Sequence, residues 1–462
     1  MEQQKKKYYF LGIGGIGMSA IARYLNMKGN IVCGYDRTPS ELTLKLEREG
    51  IAINYEDKAE NVPLDADFVI YTPAIPLDSK QMQKVISENL PLEKRSVALG
   101  HIVKDKKVLA VAGSHGKTTT CGMIAHILSS SPVSCSAFLG GILKSVENNF
   151  VYSDCSPYVV VEADEYDRSF LQLQPYASVV TAIDADHLDI YLTYQNLYNA
   201  FVDFAMLTKD DGVLFVKNSL TEFKTSVGET KTTETYSLLD SNSDLYASNI
   251  RVKEGKYLFD YHIENSVWKD IEMNYPGRHN IENAVVAMGV CAFVLRKEGY
   301  KEQEIESIIR EGIKSFSGMK RRLDYIIKTE KRVFIDDYAH HPQEIAATIT
   351  SLREMYPNKQ IVGVFQPHLY SRTRDLVDDF AKALDLLDTA ILLPIYPARE
   401  LPIEGVDSSI ILKKMSSASK YYVTKEELYP LLKQIKPELL VSFGAGDIDR
   451  MLPNIKQTLE SI

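Results

Sequence analysis

VLAVAGSHGKTTTCGMIAHIL, Val108 to Leu128, decides how this chain is read. A run of small and β-branched apolar residues breaks at Gly113-Ser114-His115-Gly116 and resumes as a helix-like pattern opened by Lys117-Thr118-Thr119. Strand, glycine turn and helix in that order make a phosphate cradle. The glycines let backbone N–H groups converge on anionic oxygens, and the helix points its positive end at them. The long spacing G-x-x-x-x-G-K-[ST] is not met, because Val111 stands where its first glycine belongs. In the shorter version that remains, Lys117 reaches the terminal phosphates and Thr118 is the first candidate for a metal-facing hydroxyl, with Thr119 beside it. A plain strand-to-helix turn with a surface lysine is the bland alternative. The strand before and the helix after favour phosphate.

An earlier turn competes with this one. LGIGGIGMSA, Leu11 to Ala20, spaces Gly12, Gly14 and Gly17 as G-x-G-x-x-G, with Gly15 inside. Asp36 ends the next apolar run, close to where a dinucleotide fold keeps its ribose-binding acid. NAD is one reading. The physics of the turn, however, is a tight bend and a helix dipole facing a pyrophosphate, and UDP carries a pyrophosphate too. A triphosphate cradle downstream weakens the NAD reading, because a dehydrogenase has no use for one.

Two acidic stretches follow the cradle. VVVEADEYD puts Glu162, Asp164 and Glu165 at the end of an apolar strand, where α/β sheets collect ligands. A carboxylate there suits Mg²⁺, a hard cation that prefers oxygen; a solvated acidic turn is the alternative. The next strand, SVVTAI, runs into DADHLD, where His187 is a candidate nitrogen ligand or simply a structural histidine.

Outward from these motifs the chain keeps alternating. YYFLGI, IVCGY and DFVIYT read as strands, separated by helical patterns over Met18–Met27 and Ser40–Glu49. A second series begins at Val108, with VLAVA, YVVVE, SVVTAI and GVLFV. Thr221–Tyr275 is polar and turn-rich and reads as an antiparallel appendage. Helical patterns return over Asn280–Lys297 and Glu302–Lys314, and RVFID, QIVGVF, TAILLPI and ELLVSF form a third series. Strand–helix alternation with short turns implies parallel sheets wound with helices. We therefore expect three α/β domains, at 1–104, 105–318 and 319–462. The polar stretches Lys104–Lys107 and Ser317–Lys320 are candidate hinges.

Bulk properties narrow the classes. With 462 residues, 45% hydrophobic and 25% charged, the chain is too long for one core and ordinary for a soluble globular protein. A net charge of −9 argues against a nucleic-acid partner, which selects a basic face. Five scattered cysteines without a CxxC pair read as reduced thiols. No apolar stretch has the length of a membrane span or a signal peptide, so a cytoplasmic protein with no membrane partner is expected. Oligomeric state is not legible.

Taken together, GSHGKTTT, VEADEYD, DADHLD, GRHNIENAVVA, FSGMKRRLD and DDYAHHPQE resemble, in order and spacing, the motifs of the Mur ligases. These are ATP-dependent amide-bond enzymes of peptidoglycan precursor synthesis. GIGGIGMSA, YDRTPS, YTPAIP, QPHLYSRTRDL, LPIYPARELP and FGAGDI are most similar to the branch that joins L-alanine to UDP-N-acetylmuramate. The resemblance implies a Rossmann-like N-terminal domain for the UDP-sugar, a central P-loop ATPase domain and a C-terminal Rossmann-like domain. Its implied cofactors are ATP and Mg²⁺, and its implied partners are UDP-N-acetylmuramate and L-alanine. Residue by residue, it puts Gly12, Gly14, Gly15, Gly17 and Asp36 at the UDP-sugar. Gly113, Ser114, His115, Gly116, Lys117, Thr118, Thr119, Asn280 and Asn283 go to ATP, and Thr118, Glu162 and His187 to the metal. Arg322 matches the arginine of an R-x-acid pattern and Asp337 the acid of DDYAHHP. Two positions depart from the family pattern: Leu369, where relatives often carry arginine, and Tyr166, where serine is common.

The implied reaction passes a phosphoryl group to the lactyl carboxylate and lets the amine of alanine displace phosphate from the acyl phosphate. Charge develops on oxygens in both steps, so cations do most of the work. His340, His341, His368, Arg372 and Arg374 are the third domain's candidates. Arg372 and Arg374 have the fork that grips a carboxylate, or else they are a solvated helix start. Asp337 is expected to orient the amine. Three other readings stay in view: a recycling ligase that adds murein tripeptide to the same sugar nucleotide, an NAD-dependent oxidoreductase, and a nucleotide-gated binding protein.

Overall fold

A computed structural model describes residues 5–185, 188–253, 255–398 and 400–462. Lys7–Leu11 is the first strand, and its apolar run stops at the glycine turn because the next helix, Ile16–Met27, starts one residue after Gly15. Ile31–Tyr35, Ala52–Asn54, Phe68–Tyr71 and Leu92–Lys94 complete a five-stranded parallel sheet, ordered 3-2-1-4-5 in chain sequence. Lys7–Leu11 therefore lies at the reversal of strand order, where open α/β sheets form a ligand crevice.

The second sheet has ten strands, and Lys107–Ala112 sits inside it between Pro175–Val180 and Tyr158–Glu162. The phosphate turn thus leaves the sheet beside the ends of both neighbours. Val108, Ala110 and Ala112 face one core, and the helix that follows, Lys117–Ser129, is buried from Thr119 to Leu128. That explains its weak amphipathic pattern, since both of its sides are covered. Ser136–Leu143 and Asn148–Val151 form an antiparallel pair at one end of this sheet. The sequence reading missed them because Gly140-Gly141 and Glu147-Asn148-Asn149 look like loop.

Over Thr221–Tyr275 the expectation of an antiparallel appendage holds for the last three strands, Leu245–Lys253, Lys256–Ile263 and Ser266–Met273, sheet neighbours only two residues apart in the chain, a spacing that antiparallel strands alone allow, and is corrected for the part before them. Thr221–Val227 is a helix, and Thr233–Ser237 pairs parallel with both Val213–Lys217 and Leu245–Lys253. Alternation alone does not tell parallel from antiparallel, because both orientations put successive side chains on opposite faces. Lys256–Ile263 and Ser266–Met273 then extend the sheet.

The third sheet is parallel except for its edge strand Asp324–Lys328, and runs Asp324–Lys328, Val333–Asp337, Leu439–Phe443, Ile361–Phe365, Thr389–Leu392, Lys420–Tyr422. Val333, Ile335 and Val441 pack into one apolar core while Phe334, Leu440 and Val364 pack into another. Helices cover both faces, so the inner strands of this sheet carry buried apolar residues on both sides rather than alternating. Each fully buried side chain of this size contributes about 2 kcal/mol.

Two compact units divide the chain: Met1–Ser248 with Tyr261–Lys269 and Glu282–Phe316, and Asn249–Asp260 with Asp270–Ile281 and Ser317–Ile462. The second expected hinge, Ser317–Lys320, begins at this division. The first, Lys104–Lys107, does not fall at the division. Its two sides belong to one unit, and a single core runs from Phe10 and Ile21 through Phe138 and Phe150 to Phe201. Asn149, fully buried, donates to Ile16 O and Ser19 Oγ of the helix Ile16–Met27 and accepts from Arg23 at 2.5 Å. A polar hub of this kind ties the first sheet to the second. All five cysteines are free, and no helix among the described residues is long and apolar enough to cross a membrane.

Candidate active site

The phosphate turn is held by its neighbours rather than by itself. Ser114 N donates to Ala182 O at 3.0 Å, Thr181 Oγ1 to His115 O at 2.5 Å, and Asp184 N to Ser114 Oγ at 2.8 Å. Gly113 has φ +130° and Gly116 φ +82°, conformations that L-residues avoid. Both glycines are also hemmed in: an added Cβ would meet Thr181 Oγ1 at 2.1 Å and Asn283 Oδ1 at 2.6 Å, respectively. Asn283 is thereby placed against the turn. Asn280 is buried and donates its amide to Pro276 O at 2.6 Å.

Lys117 opens the helix with its ammonium turned back over the loop, donating to Gly113 O at 2.5 Å and to Glu165 Oε1 at 2.8 Å. Burial works against its charge, but Glu165, Glu162 and Asp164 more than offset this and raise its pKa. Lys117 is therefore a fixed cation. Thr118 Oγ1 donates to Glu162 Oε1 at 3.0 Å, and Gly140 N donates to Glu162 Oε2 at 3.0 Å. Thr119 is buried in the helix, so of the two hydroxyls it is Thr118 that meets the carboxylate.

The side chains here fit a hard cation. Thr118 and Glu162 supply oxygens, and Glu165 Oε2 is buried without a hydrogen-bond partner among the described residues. No group of three or more His, Cys, Asp or Glu is arranged to hold a metal among the described residues. His187 lies outside them.

At the first glycine turn, Gly14 N donates to Asp36 Oδ2 at 2.8 Å, while Gly12 and Gly15 form the bend through a Gly15 N to Gly12 O bond of 3.2 Å. Arg95, which no motif flagged, lies against Gly17. Its Nη2 reaches Asp164 Oδ2 at 3.3 Å, and its neighbour Lys94 pairs with Asp167. Tyr166 is 38% exposed, and the two residues after it, Asp167 and Arg168, both take φ +55°.

In the second unit, Asp337 closes the strand Val333–Asp337 and is buried. Thr348 Oγ1 donates to its Oδ2 at 2.5 Å and Ala339 N to its Oδ1 at 3.3 Å. Burial raises its pKa to about 6 despite Thr348 and Arg322. The Arg322 guanidinium lies 5.3 Å from the Tyr338 ring centroid. His340 and His368 have ring centroids 6.1 Å apart, and Arg372 Nη1 approaches His368 Nδ1 at 3.4 Å. Burial, Arg372 and His340 depress His368 to about 4, and burial also lowers His340, so both rings are neutral at pH 7. Arg374 instead pairs with Asp375 and its side chain is 54% exposed. His341 caps the helix Pro342–Met355. Leu369 has φ +72°, a costly state for a residue with a side chain, and its N–H donates to Tyr396 O at 3.0 Å.

The raised pKa of Asp337 fixes a pH dependence. The native chain binds this proton more tightly than the unfolded one, so stability from this group falls as pH rises from about 4 to about 6 and stays lower above. In Asp337→Asn that decline is absent. The stability difference, variant minus parent, should grow on the order of 2 kcal/mol across the window. Asp336, raised to about 6 by burial, keeps its own share of the slope in both proteins. Urea unfolding at pH 4.5 and 7.5 checks this; a difference independent of pH contradicts it.

Three family models match the chain in order. The Mur ligase family catalytic domain matches residues 7–107, the Mur ligase middle domain 111–291, and the Mur ligase glutamate ligase domain 321–446. The chain belongs to the Mur ligase family. A UDP-N-acetylmuramate–L-alanine ligase of Christiangramia forsetii is 45% identical over 460 residues, 98% of each chain. Among solved structures, a UDP-N-acetylmuramate–alanine ligase of Thermotoga maritima superposes with TM-score 0.82 at 28% identity, covering 98% of this Mur ligase and 99% of that chain. A murein peptide ligase of Psychrobacter arcticus shares the fold at TM-score 0.69 and 19% identity, covering 99% of both.

Proposed function

We propose that this Mur ligase joins L-alanine to UDP-N-acetylmuramate with consumption of ATP, as a UDP-N-acetylmuramate–L-alanine ligase of peptidoglycan precursor synthesis in the cytoplasm. The observation that carries this reading is the 45% identity to the Christiangramia forsetii enzyme of that name over 98% of both chains. The division of labour follows the three sheets: 1–104 for the sugar nucleotide, 105–318 for ATP, and 319–462 for the amino acid and closure of the site.

Gly12, Gly14, Gly15 and Gly17 present backbone N–H groups and a helix N-terminus to the UDP diphosphate, with Asp36 beside them. Gly113–Thr119 wrap the ATP phosphates, with Asn283 at Gly116 and Asn280 on the same helix. Lys117 exchanges Glu165 and Gly113 O for the β- and γ-phosphates. Thr118 and Glu162, with His187, would hold Mg²⁺, which would neutralise charge on the phosphate oxygens. The γ-phosphoryl group then passes to an oxygen of the lactyl carboxylate and ADP leaves. The neutral amine of L-alanine attacks the carbonyl carbon, phosphate departs, and the amine gives up a proton. Asp337 and His340 take that proton or orient the amine. Arg322 and Arg372 supply charge to the carboxylate and phosphoryl oxygens, and Arg374 is an exposed cation available to the same anions.

ADP release measured with UDP-N-acetylmuramate and a panel of L-alanine, L-serine, glycine and murein tripeptide tests the reading. L-Alanine is expected to give the highest kcat/KM. Fastest turnover with the tripeptide would make the chain a recycling ligase, and binding of NAD in place of the sugar nucleotide would revive the oxidoreductase.

A further inference from the structure

Arg95 is the first residue of the helix Arg95–Val103, at the carboxyl end of the strand Leu92–Lys94. Its guanidinium lies on the first turn of the helix Ile16–Met27: a Cβ on Gly17 would come within 2.5 Å of Arg95 Nη1 and 3.3 Å of Cζ. This spot already gathers positive potential from the helix N-terminus and its free N–H groups. The other end of the same fork reaches Asp164 Oδ2 at 3.3 Å. Asp164 belongs to the turn that carries Glu162, the acceptor of Thr118, and Glu165, the partner of Lys117. One side chain thus touches the first glycine turn and the acidic turn beside the phosphate loop.

The Asp164 contact is a weak one. It is a single long bond, and the carboxylate is 39% exposed, so solvent screens it. A diphosphate seated on the Gly12–Gly17 turn would offer the fork a bidentate partner of higher charge. We propose that Arg95 is a positioning residue shared by the two nucleotide sites. It moves from Asp164 to the diphosphate of the sugar nucleotide, and the released Asp164 carboxylate is left to attract the divalent cation that would accompany ATP. Each nucleotide therefore tightens the other. The inference rests on the sugar-nucleotide assignment of the first turn given above.

Calorimetry on the full chain tests it, with UDP-N-acetylmuramate titrated in the presence and absence of a non-hydrolysable ATP analogue and MgCl₂. In the parent, the analogue should tighten sugar-nucleotide binding by about five-fold or more, and the reverse titration should return the same factor. Arg95→Lys keeps a charge but loses the fork, and should weaken sugar-nucleotide binding by about ten-fold. Asp164→Asn should bind the sugar nucleotide at least as tightly as the parent while the factor drops to about one. A merely structural Asp164 would not move that factor. Parent-like binding by Arg95→Lys, or an undiminished factor in Asp164→Asn, would overturn the proposal. A parent factor of one overturns it while leaving the function intact. A parent that does not bind UDP-N-acetylmuramate at all removes the functional reading itself.

Discussion

Replacing Lys117 with alanine is expected to lower the rate of product formation by about 10²- to 10³-fold, the loss typical of removing one charge that meets a developing oxyanion. The structure gives this substitution a second consequence. Glu165 is buried, its Oε1 is held by Lys117 at 2.8 Å, and its Oε2 has no hydrogen-bond partner among the described residues. Without the lysine an uncompensated carboxylate remains in the interior, which costs stability as well as activity. Lys117→Ala/Glu165→Gln separates the two effects. The double variant should recover thermal stability toward that of the parent and stay inactive, because only the loss at the phosphates persists. ADP release under saturating substrates, together with melting curves for the three proteins, makes the comparison. Undiminished turnover in folded Lys117→Ala would remove the phosphate role of this loop.

Gly113→Ala is expected to be nearly as damaging for a different reason. At φ +130° an L-residue is strained, and the new methyl would stand 2.1 Å from Thr181 Oγ1 and 2.8 Å from Ala182 N. Thr181 cannot simply rotate away, because its hydroxyl serves His115 O and Ala112 O, two of the bonds that tie the turn and the strand before it to the segment following Pro175–Val180. Strain and overpacking together should cost about 3 kcal/mol. The turn would have to open, which re-aims the N–H groups that gather phosphate. Urea unfolding should report the loss of stability, and affinity for a non-hydrolysable ATP analogue should fall by at least ten-fold. Parent-like stability would show that the turn tolerates a side chain and that its shape is not set by Gly113.

The strands and helices around both glycine turns were legible because their signals are local. Apolar runs of four to six residues, glycine at the breaks and helical periodicity afterwards placed Lys7–Leu11, Lys107–Ala112, Tyr158–Glu162 and Val333–Asp337 within a residue or two. Where the local signal was ambiguous the reading went astray. Ser136–Leu143 carries a glycine pair and reads as loop, yet it is a strand paired with Asn148–Val151 and Tyr158–Glu162, and its Gly140 is needed because an added Cβ would meet Glu162 Oε2 at 2.2 Å. Thr233–Ser237 is parallel because the helix Thr221–Val227 returns the chain to the same end of the sheet, a fact of chain path that a polar, alternating stretch does not encode. The first expected hinge, similarly, is not a boundary between the compact units. A polar tetrapeptide looks like a joint until Asn149 and Arg23 are seen bonding across it.

By itself the sequence determined that this chain winds parallel sheets, that two glycine turns each lead from a strand into a helix, and that acids and a lysine follow the second turn. Each of these is fixed by residues within a dozen positions of one another, the range over which turn chemistry and periodicity act. Only the tertiary structure decided that Lys117 is held by Glu165, that Asn283 stands on Gly116, and that Arg95 joins the two turns. These neighbours come from distant segments, brought together by the order in which strands enter a sheet. That order depends on which faces can be buried together, so no single stretch of the chain records it.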